Sequence, residues 1–385
     1  MARMPSAKKP TPRKPSSSDL AKQVEEQSSK PIERKEPMIP IDKGVISTGS
    51  TLLDLAISGR RVRGGGVPGG MIMIYFGPSS SGKTILLCEL MANAKAKIVK
   101  DTGAGAEEII KIGPRAQDPE TRMDKGFVRH IFRVDLEEGE NYLQPATVLD
   151  AFKNIWDWKP DPSNLNVYAT DSIAALTTES ELDRVGQLGR QAAELSQELR
   201  MVKNHLQEYN ILMACTNQER ANMMQGRGPA TKQAGGFAIG FWSSLNIRIK
   251  PDPGGKYIKT KVKSKQGKEE ERIIGVKSLC RVEKSSVDVP YREAPVIIMF
   301  DYGVDDVRAN LLWLNDKGVF DEQGPRGGWV KKKGYVVGGK RYLSIDAAVE
   351  TVESQELQEE IKDQVIDTWE FLDQQTITER SPKQR

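Results

Sequence analysis

The sequence predicts an α/β fold with a mainly parallel central sheet covered by helices on both faces. Three short, continuous apolar runs have the length of buried strands: Met71–Phe76, Val167–Thr170 and Ile211–Thr216. Segments with helical spacing, such as Gln191–Leu206, alternate with these runs. Continuous apolar strands that alternate with helices are typical of parallel sheets buried on both faces.

Composition divides the 385 residues into three regions. Residues 1–37 are rich in Lys, Pro and Ser and lack apolar periodicity, which predicts a disordered basic arm. Residues 38–304 carry the α/β pattern of the core. Residues 305–385 change to helices and a Gly-rich segment and end in an acidic helical tail, which predicts a small α+β C-terminal domain.

Composition also excludes several classes of protein. No apolar run is long enough for a transmembrane helix, and the N-terminus lacks the apolar segment of a secretory signal. Cys88, Cys215 and Cys280 lie far apart in apolar surroundings. They predict buried thiols in a reducing compartment, so we expect a cytoplasmic protein without a membrane partner. The formal net charge of +4 is too small to indicate nucleic-acid binding by itself.

The octapeptide after Met71–Phe76 predicts a phosphate-binding loop (P-loop). It matches G-x-x-x-x-G-K-[ST] and lies between a strand and a helix. Its two glycines let backbone N–H groups approach phosphate oxygens, and the following helix adds the positive end of its dipole. The lysine supplies a point charge, and the threonine hydroxyl can ligate Mg²⁺. We therefore expect ATP and Mg²⁺ as ligands, with contacts from Gly77, Pro78, Ser79, Ser80, Ser81, Gly82, Lys83 and Thr84.

Asp171 is the second candidate magnesium ligand. It closes the strand candidate Val167–Thr170. A carboxylate at the carboxyl end of a buried strand beside the P-loop strand lies where a second metal contact is needed.

These motifs, with several further segments, resemble the bacterial RecA recombinases in order and approximate spacing. The resemblance extends from about Ile46 to Phe320, and the basic arm suggests a divergent member of bacterial or phage origin. It implies a RecA-like P-loop ATPase core. The segments that carry it are Ile46–Ser50, the P-loop, Asp171–Leu176, Asn217–Gln218, Pro229–Arg248 and Val282–Ser286 with Pro290.

The resemblance also implies roles for individual residues. Gln218 would sense the γ-phosphate of ATP and couple it to the following loop, Glu219–Gly236. Lys284 would reach the γ-phosphate bound by the neighbouring subunit. That loop and the region Arg184–Arg190 would face single-stranded DNA. Their basic residues would contact the phosphates, and their glycines would let the backbone approach the strand closely. The candidate DNA-binding residues are Arg184, Arg190, Arg220, Arg227, Lys232, Gly235 and Gly236.

The water-activating carboxylate is where the sequence departs most from the family. The family places a catalytic Glu after the strand that follows the P-loop helix. We align that position with the stretch Ile98–Glu108, which leaves Asp101 or Glu107 for the role, and we take Asp101 as the candidate. A second alignment uses Glu137 and makes Lys97–Phe127 an insertion.

Two further departures concern the nucleotide. Ser286 stands where the bacterial proteins have a second lysine. The adenine-stacking tyrosine of the family has no match near Glu107–Ile110.

The predicted function is that of a DNA-dependent ATPase that forms a helical filament on single-stranded DNA. Its partners would be other copies of the chain, single-stranded DNA, and duplex DNA during homologous pairing and strand exchange. Two alternatives remain open: an ATP-gated DNA-coating protein with little hydrolysis, and a hexameric helicase with the same core. The Ile46–Ser50 match and the Gln225–Gly236 loop favour the recombinase over the helicase.

Overall fold

The structure, a computed structural model, describes residues 44–94, 96–101, 107–178, 190–221, 231–233, 237–323 and 329–376. The basic arm predicted at residues 1–37 lies outside these ranges.

Strands and helices alternate along the described part of the chain. The strands are β1 (Val45–Ile46), β2 (Val67–Pro68), β3 (Met71–Gly77), β4 (Ala96–Asp101), β5 (Glu107–Ile112), β6 (Arg115–Gln117), β7 (Tyr142–Leu143), β8 (Asn166–Thr170), β9 (Ile211–Ala221), β10 (Thr231–Gln233), β11 (Leu245–Pro251), β12 (Tyr257–Lys263), β13 (Glu269–Ser285), β14 (Glu293–Met299), β15 (Gly303–Val304), β16 (Glu322–Gln323), β17 (Trp329–Val330), β18 (Tyr335–Val337) and β19 (Lys340–Tyr342). The helices are α1 (Thr51–Ser58), α2 (Lys83–Asn93), α3 (Lys125–Phe132), α4 (Val148–Trp156), α5 (Arg190–Met201), α6 (Lys203–Glu208), α7 (Phe237–Trp242), α8 (Asp306–Asp316), α9 (Ile345–Ser354) and α10 (Gln358–Gln374).

One large sheet organises the fold. Its order is β15-β14-β13-β11-β3-β9-β8-β6-β7, with β10 paired to β9 and β12 paired to β13. The six strands β11-β3-β9-β8-β6-β7 run parallel to their neighbours in the sheet. The pairs β11–β13, β12–β13, β13–β14, β14–β15 and β9–β10 are antiparallel. The α/β class predicted from the sequence, with a parallel centre, is confirmed.

Both faces of the sheet are buried, because alternate residues of each strand point to opposite faces. On β3, Met73 and Tyr75 enter one hydrophobic cluster, with side chains of α1, α2 and the C-terminal helices. Ile72 and Ile74 enter the other, with α4 to α7. The three cysteines are free and buried, as predicted, and burial raises the pKa of their thiols.

The C-terminal region packs on α1 through apolar and charged contacts. Its buried side chains from α8 to α10 belong to the same hydrophobic cluster as α1 and α2. The ring of Trp369 packs so closely on Gly59 that a Cβ at this glycine would lie 2.8 Å from it. Arg60 and Arg292 both form ion pairs with Asp373 of α10. These contacts hold the C-terminal helices against the sheet domain.

The Ile46–Ser50 segment builds a buried hydrogen-bonded turn before α1. Ser50 caps the helix by accepting a hydrogen bond from the N–H of Leu53. The carboxylate of Asp54 accepts hydrogen bonds from the backbone N–H and hydroxyl of Thr48 at 2.8 and 2.7 Å, and from the hydroxyl of Ser47. Burial raises the pKa of Asp54 to about 7, and the hydrogen bonds oppose this shift.

Asp54→Asn should therefore change how stability depends on pH. The folded chain holds the Asp54 proton up to about pH 7, while the unfolded chain releases it near its ordinary pKa of about 4. The free energy of unfolding of the parent should fall by a few kcal/mol as pH rises through this window. In Asp54→Asn, which cannot titrate at this position, the free energy of unfolding should not show this part of the fall with pH. Urea denaturation at pH 5 and pH 8 measures it, and an equal decline in both proteins would contradict the assignment.

Candidate functional site

The carboxyl ends of four neighbouring parallel strands meet at one edge of the sheet. Gly77 at the end of β3 pairs with Gln218 of β9. Asp171 directly follows β8 and donates its backbone N–H to the carbonyl of Gln117, the last residue of β6. Ligands of open α/β sheets bind at this edge. The fold thus brings together Gly77, Asp171 and Gln218, which lie far apart in the sequence.

The P-loop has the backbone geometry that phosphate binding requires. Gly82 has φ +94°, a conformation that side chains with a Cβ rarely adopt, and a Cβ at Gly77 would lie 2.2 Å from the carbonyl oxygen of Ile249. Helix α2 begins at Lys83 without a side-chain cap. Its first N–H groups therefore remain available to an anion. The Lys83 ammonium donates to the carbonyl oxygens of Gly77 and Pro78 at 3.1 and 2.8 Å.

Asp171 joins two threonines beside the P-loop. The Thr84 hydroxyl donates to its Oδ2 at 2.9 Å, and the Thr216 hydroxyl donates to its Oδ1. Burial raises the pKa of Asp171, and these hydrogen bonds oppose the shift. The donor set of hydroxyl and carboxylate oxygens fits Mg²⁺, which prefers oxygen ligands.

Burial lowers the pKa of Lys83, while the nearby carboxylates of Asp171, Glu219 and Glu120 oppose the shift. A triphosphate at this loop would favour the charged form of the lysine, because opposite charges stabilise one another at short range.

Glu120 is a functional candidate that sequence reasoning missed. It follows β6, and its Oε1 accepts a hydrogen bond of 3.3 Å from Nε2 of Gln218. Its other oxygen lies 2.8 Å from Arg122. The sequence does contain a pattern that could have indicated Glu120, an Asp-Pro-Glu turn at residues 118–120 directly after β6. However, β6 has only three residues, too few to show a strand pattern.

Asp118 fixes the turn that carries Glu120. Its Oδ2 accepts hydrogen bonds from the backbone N–H of Met123 at 2.7 Å and from the hydroxyl of Tyr142 at 2.9 Å. Its carbonyl accepts from the N–H of Thr121. The buried side chain of Asp118 thus fixes the turn that contains Glu120. Because Asp118 directly follows β6, the turn and Glu120 lie at this edge of the sheet.

The structure places the candidate Asp101 outside the central sheet. Among the described residues, Asp101 ends β4, which pairs with β5 in a separate two-stranded sheet, where Asp101 is the backbone partner of Glu107. The strand that enters the central sheet after α2 is β6, so the chain between them is an inserted hairpin. The other alternative, Glu137, is exposed. Neither Asp101 nor Glu107 lies on a strand of the P-loop sheet.

A cavity of about 540 Å³ opens beside the P-loop. Residues 80–85 line one part of it, and the rest of the lining comes from β12 with the residue before it, from β13, and from β14 with the residue after it. The lining residues of that second part are Lys256, Tyr257, Val276, Ile298 and Phe300. Its size lies within the range of roughly 300–1,000 Å³ found for small-molecule sites.

Lys284 lies away from this cavity, near the end of β13. Its ammonium donates to the carbonyl oxygens of Gly240 and Phe241 at 3.1 and 2.7 Å, at the C-terminal end of α7. Burial lowers its pKa, and the charge of Lys203 lowers it further. Lys284 is thus a cation at the end of the helix that follows the predicted DNA-binding loop.

Four of the seven predicted DNA-binding residues lie outside the described ranges. They are Arg184, Arg227, Gly235 and Gly236. Arg190 begins α5 and is exposed. Arg220 and Lys232 are backbone partners on β9 and β10. These two strands form the base of the predicted DNA-binding loop, and β9 also carries Gln218.

Comparison with known proteins decides the family. The RecA N-terminal domain family matches residues 20–305. The chain belongs to the RecA family. Protein RecA of Borrelia hermsii (strain HS1 / DAH) is 31% identical over 270 residues, covering 69% of this chain and 67% of the relative. Protein RecA of Borrelia duttonii (strain Ly) is 29% identical over 262 residues, covering 67% of this chain and 64% of the relative.

Membership of the RecA family makes the chain a RecA-type recombinase, and the predicted resemblance is confirmed. ATP binding, DNA binding, recombination and repair are functions of this family. Within the described ranges, no helix combines the length and apolar character needed to span a membrane.

Proposed function

We propose that this RecA-family protein is a DNA-dependent ATPase that forms a helical filament on single-stranded DNA and promotes homologous pairing and strand exchange. One observation carries the proposal: Glu120 and Gln218 meet by a hydrogen bond at the P-loop edge of the sheet. The strand that holds Gln218 continues to the base of the predicted DNA-binding loop. A single strand therefore links the nucleotide site with the DNA site.

Each side chain at the sheet edge has its own role in ATP hydrolysis. Glu120 accepts the proton of the attacking water, and Lys83 neutralises charge on the outer phosphates. Thr84 and Asp171 would hold Mg²⁺, which would supply further positive charge to the phosphates. Burial raises the pKa of Asp171, and a metal ion would favour its ionised form.

Gln218 couples the two sites. A bound γ-phosphate would accept a hydrogen bond from the Gln218 amide and so draw it away from Glu120. A shift of Gln218 is transmitted along β9, since Arg220 lies two residues further on and pairs with Lys232. ATP binding would in this way bias the arrangement of the DNA-binding loop.

The direct test combines electron microscopy with an ATPase assay on the full chain. With single-stranded DNA and a non-hydrolysable ATP analogue, we expect helical filaments, and with ATP we expect turnover that depends on DNA. Closed hexameric rings would favour the helicase instead. Filaments without turnover would favour the ATP-gated coating protein.

A complementation experiment tests whether Lys284 acts on the ATP of a neighbouring subunit. Lys284→Ala should retain nucleotide binding, because Lys284 lies away from its own P-loop cavity, but should lower DNA-stimulated hydrolysis about 100-fold. Mixing it with Lys83→Ala protein should restore part of the activity. Each variant then supplies the half of an interface that the other lacks.

The control for this experiment is Lys261→Ala, which removes an exposed lysine of β12. It should hydrolyse ATP at the parental rate. If the two variants assemble together on DNA and the mixture recovers no activity, Lys284 does not act across the interface.

A further inference from the structure

An ion pair between Arg248 and Glu219 lies beside the P-loop strand. Nε of Arg248 on β11 donates a hydrogen bond to Oε1 of Glu219 on β9. The Arg248 side chain is 21% exposed and the Glu219 side chain 9% exposed. Ion pairs that are largely withdrawn from water are screened little by salt, and removing one partner leaves the other charge uncompensated.

The pair crosses the strand that leads into the P-loop. β3 lies between β9 and β11 in the sheet. Arg248 is the backbone partner of Phe76, and Glu219 follows Gln218, the partner of Gly77. Neighbouring strands are about 4.8 Å apart, so β9 and β11 stand about 10 Å apart, a distance that two long side chains can bridge. The two side chains thus meet over the junction of β3 and the P-loop.

The alternation of side chains along β11 fixes the face of the sheet on which the pair lies. Ile247 and Ile249 belong to the hydrophobic cluster that includes α2. Arg248, between them, points to the opposite face, where Phe76 and Ile239 of α7 are buried. Helix α7 directly follows the predicted DNA-binding loop. The ion pair therefore lies on the same face as the helix into which this loop leads.

Glu219 is also the first residue of that loop. Its backbone pairs with Gln233 of β10, so Glu219 lies at the base of the loop. The ion pair attaches this base to β11, in addition to the backbone pairing with β10. Arg248 therefore holds the base of the loop at a fixed position relative to the P-loop strand.

Two contacts make the pair responsive to a nucleotide. The carboxylate of Glu219 is close enough to the Lys83 ammonium to oppose the lowering of its pKa. The carbonyl of Ile249, which follows Arg248, is so close to the P-loop that a Cβ at Gly77 would lie 2.2 Å from its oxygen. Phosphates bound at Lys83 would repel Glu219 and attract Arg248, because charges act strongly on one another in a site partly withdrawn from water.

We propose that the Glu219–Arg248 ion pair couples nucleotide binding to the DNA-binding loop, with Arg248 as the positioning residue for the base of this loop. The inference rests on the proposed function, since it requires ATP at the P-loop and DNA at the loop. It adds a second connection between the two sites. Gln218 responds to the γ-phosphate by hydrogen bonding, whereas the ion pair responds to its charge.

Fluorescence anisotropy of a labelled single-stranded oligonucleotide, with and without a non-hydrolysable ATP analogue, tests the inference on the full chain. In the parent, we expect the analogue to tighten DNA binding about 10- to 100-fold, the usual range of coupling between two sites. In Arg248→Gln, the base of the loop is no longer held to β11, so this ratio of DNA affinities should fall to about twofold or less. Binding of the analogue without DNA should stay close to the parental level, because the P-loop is intact.

Two further variants separate the coupling role from an effect on folding. Glu219→Gln combined with Arg248→Gln removes both charges, so that no unpaired charge stays buried. This double variant should lose the nucleotide dependence of DNA binding as Arg248→Gln does. Arg248→Lys keeps a positive charge at this position and should retain part of the dependence.

Arg129→Gln is the matched control, because it removes an arginine of α3 whose ion pair with Asp135 is exposed. It should show the parental nucleotide dependence. Parental dependence in the double variant would overturn the inference, as would equal loss of DNA binding with and without the analogue. A parent chain whose DNA affinity did not respond to the analogue would refute the proposed function and the coupling pair with it.

Discussion

Glu120→Gln is expected to lower DNA-stimulated ATP hydrolysis about 100-fold or more while ATP binding stays at the parental level. The substitution keeps the size of the side chain and its capacity to accept a hydrogen bond from Gln218. It removes only the carboxylate that takes a proton from water. Single-turnover hydrolysis and equilibrium binding of ATP, measured on the same preparation, separate the two effects.

Two control variants sharpen this experiment. Glu137→Gln and Asp101→Asn remove the carboxylates that the sequence alone had suggested for the role. Asp101 lies on the separate β4–β5 sheet, and Glu137 is exposed. Both variants should therefore hydrolyse ATP at the parental rate. If Asp101→Asn lost activity and Glu120→Gln did not, the assignment drawn from the order of the sheet strands would be refuted.

Lys83→Ala is expected to weaken ATP binding about 10- to 100-fold and to remove measurable turnover. The lysine ammonium lies against the P-loop carbonyls of Gly77 and Pro78 and is partly buried among carboxylates. Its loss would leave Asp171, Glu120 and Glu219 without this cation beside the phosphates. Titration with ATP and with inorganic triphosphate should give equal losses of affinity, because the phosphates are the only part of ATP that the lysine would contact.

Lys153→Ala is the control for this prediction, since Lys153 is an exposed lysine of α4 on the other face of the sheet. Parental affinity and turnover are expected for it. Parental turnover in Lys83→Ala with single-stranded DNA present would show that the octapeptide is not the site of hydrolysis.

The sequence alone was informative where a structure is built from neighbouring residues. The strand, the phosphate loop and the helix from Met71 to Asn93 are contiguous, and local backbone preferences determine them. The helix cap at Ser50 and the buried strands β8 and β9 follow from patterns of the same kind. An Asp after β8 could be assigned to the same edge as the P-loop, because parallel strands share that edge.

Only the tertiary structure decided which strand stands next to which. The stretch after α2 contains two strand-like segments, and nothing local distinguishes the β4–β5 hairpin from the three-residue β6. Hydrogen bonds to β7 and β8, which lie further along the chain, place β6 in the sheet and bring Glu120 to Gln218. The same holds for Tyr257, since three paired strands bring it to the P-loop cavity. A sequence encodes local backbone geometry directly, whereas contacts between distant strands depend on the packing of the whole sheet.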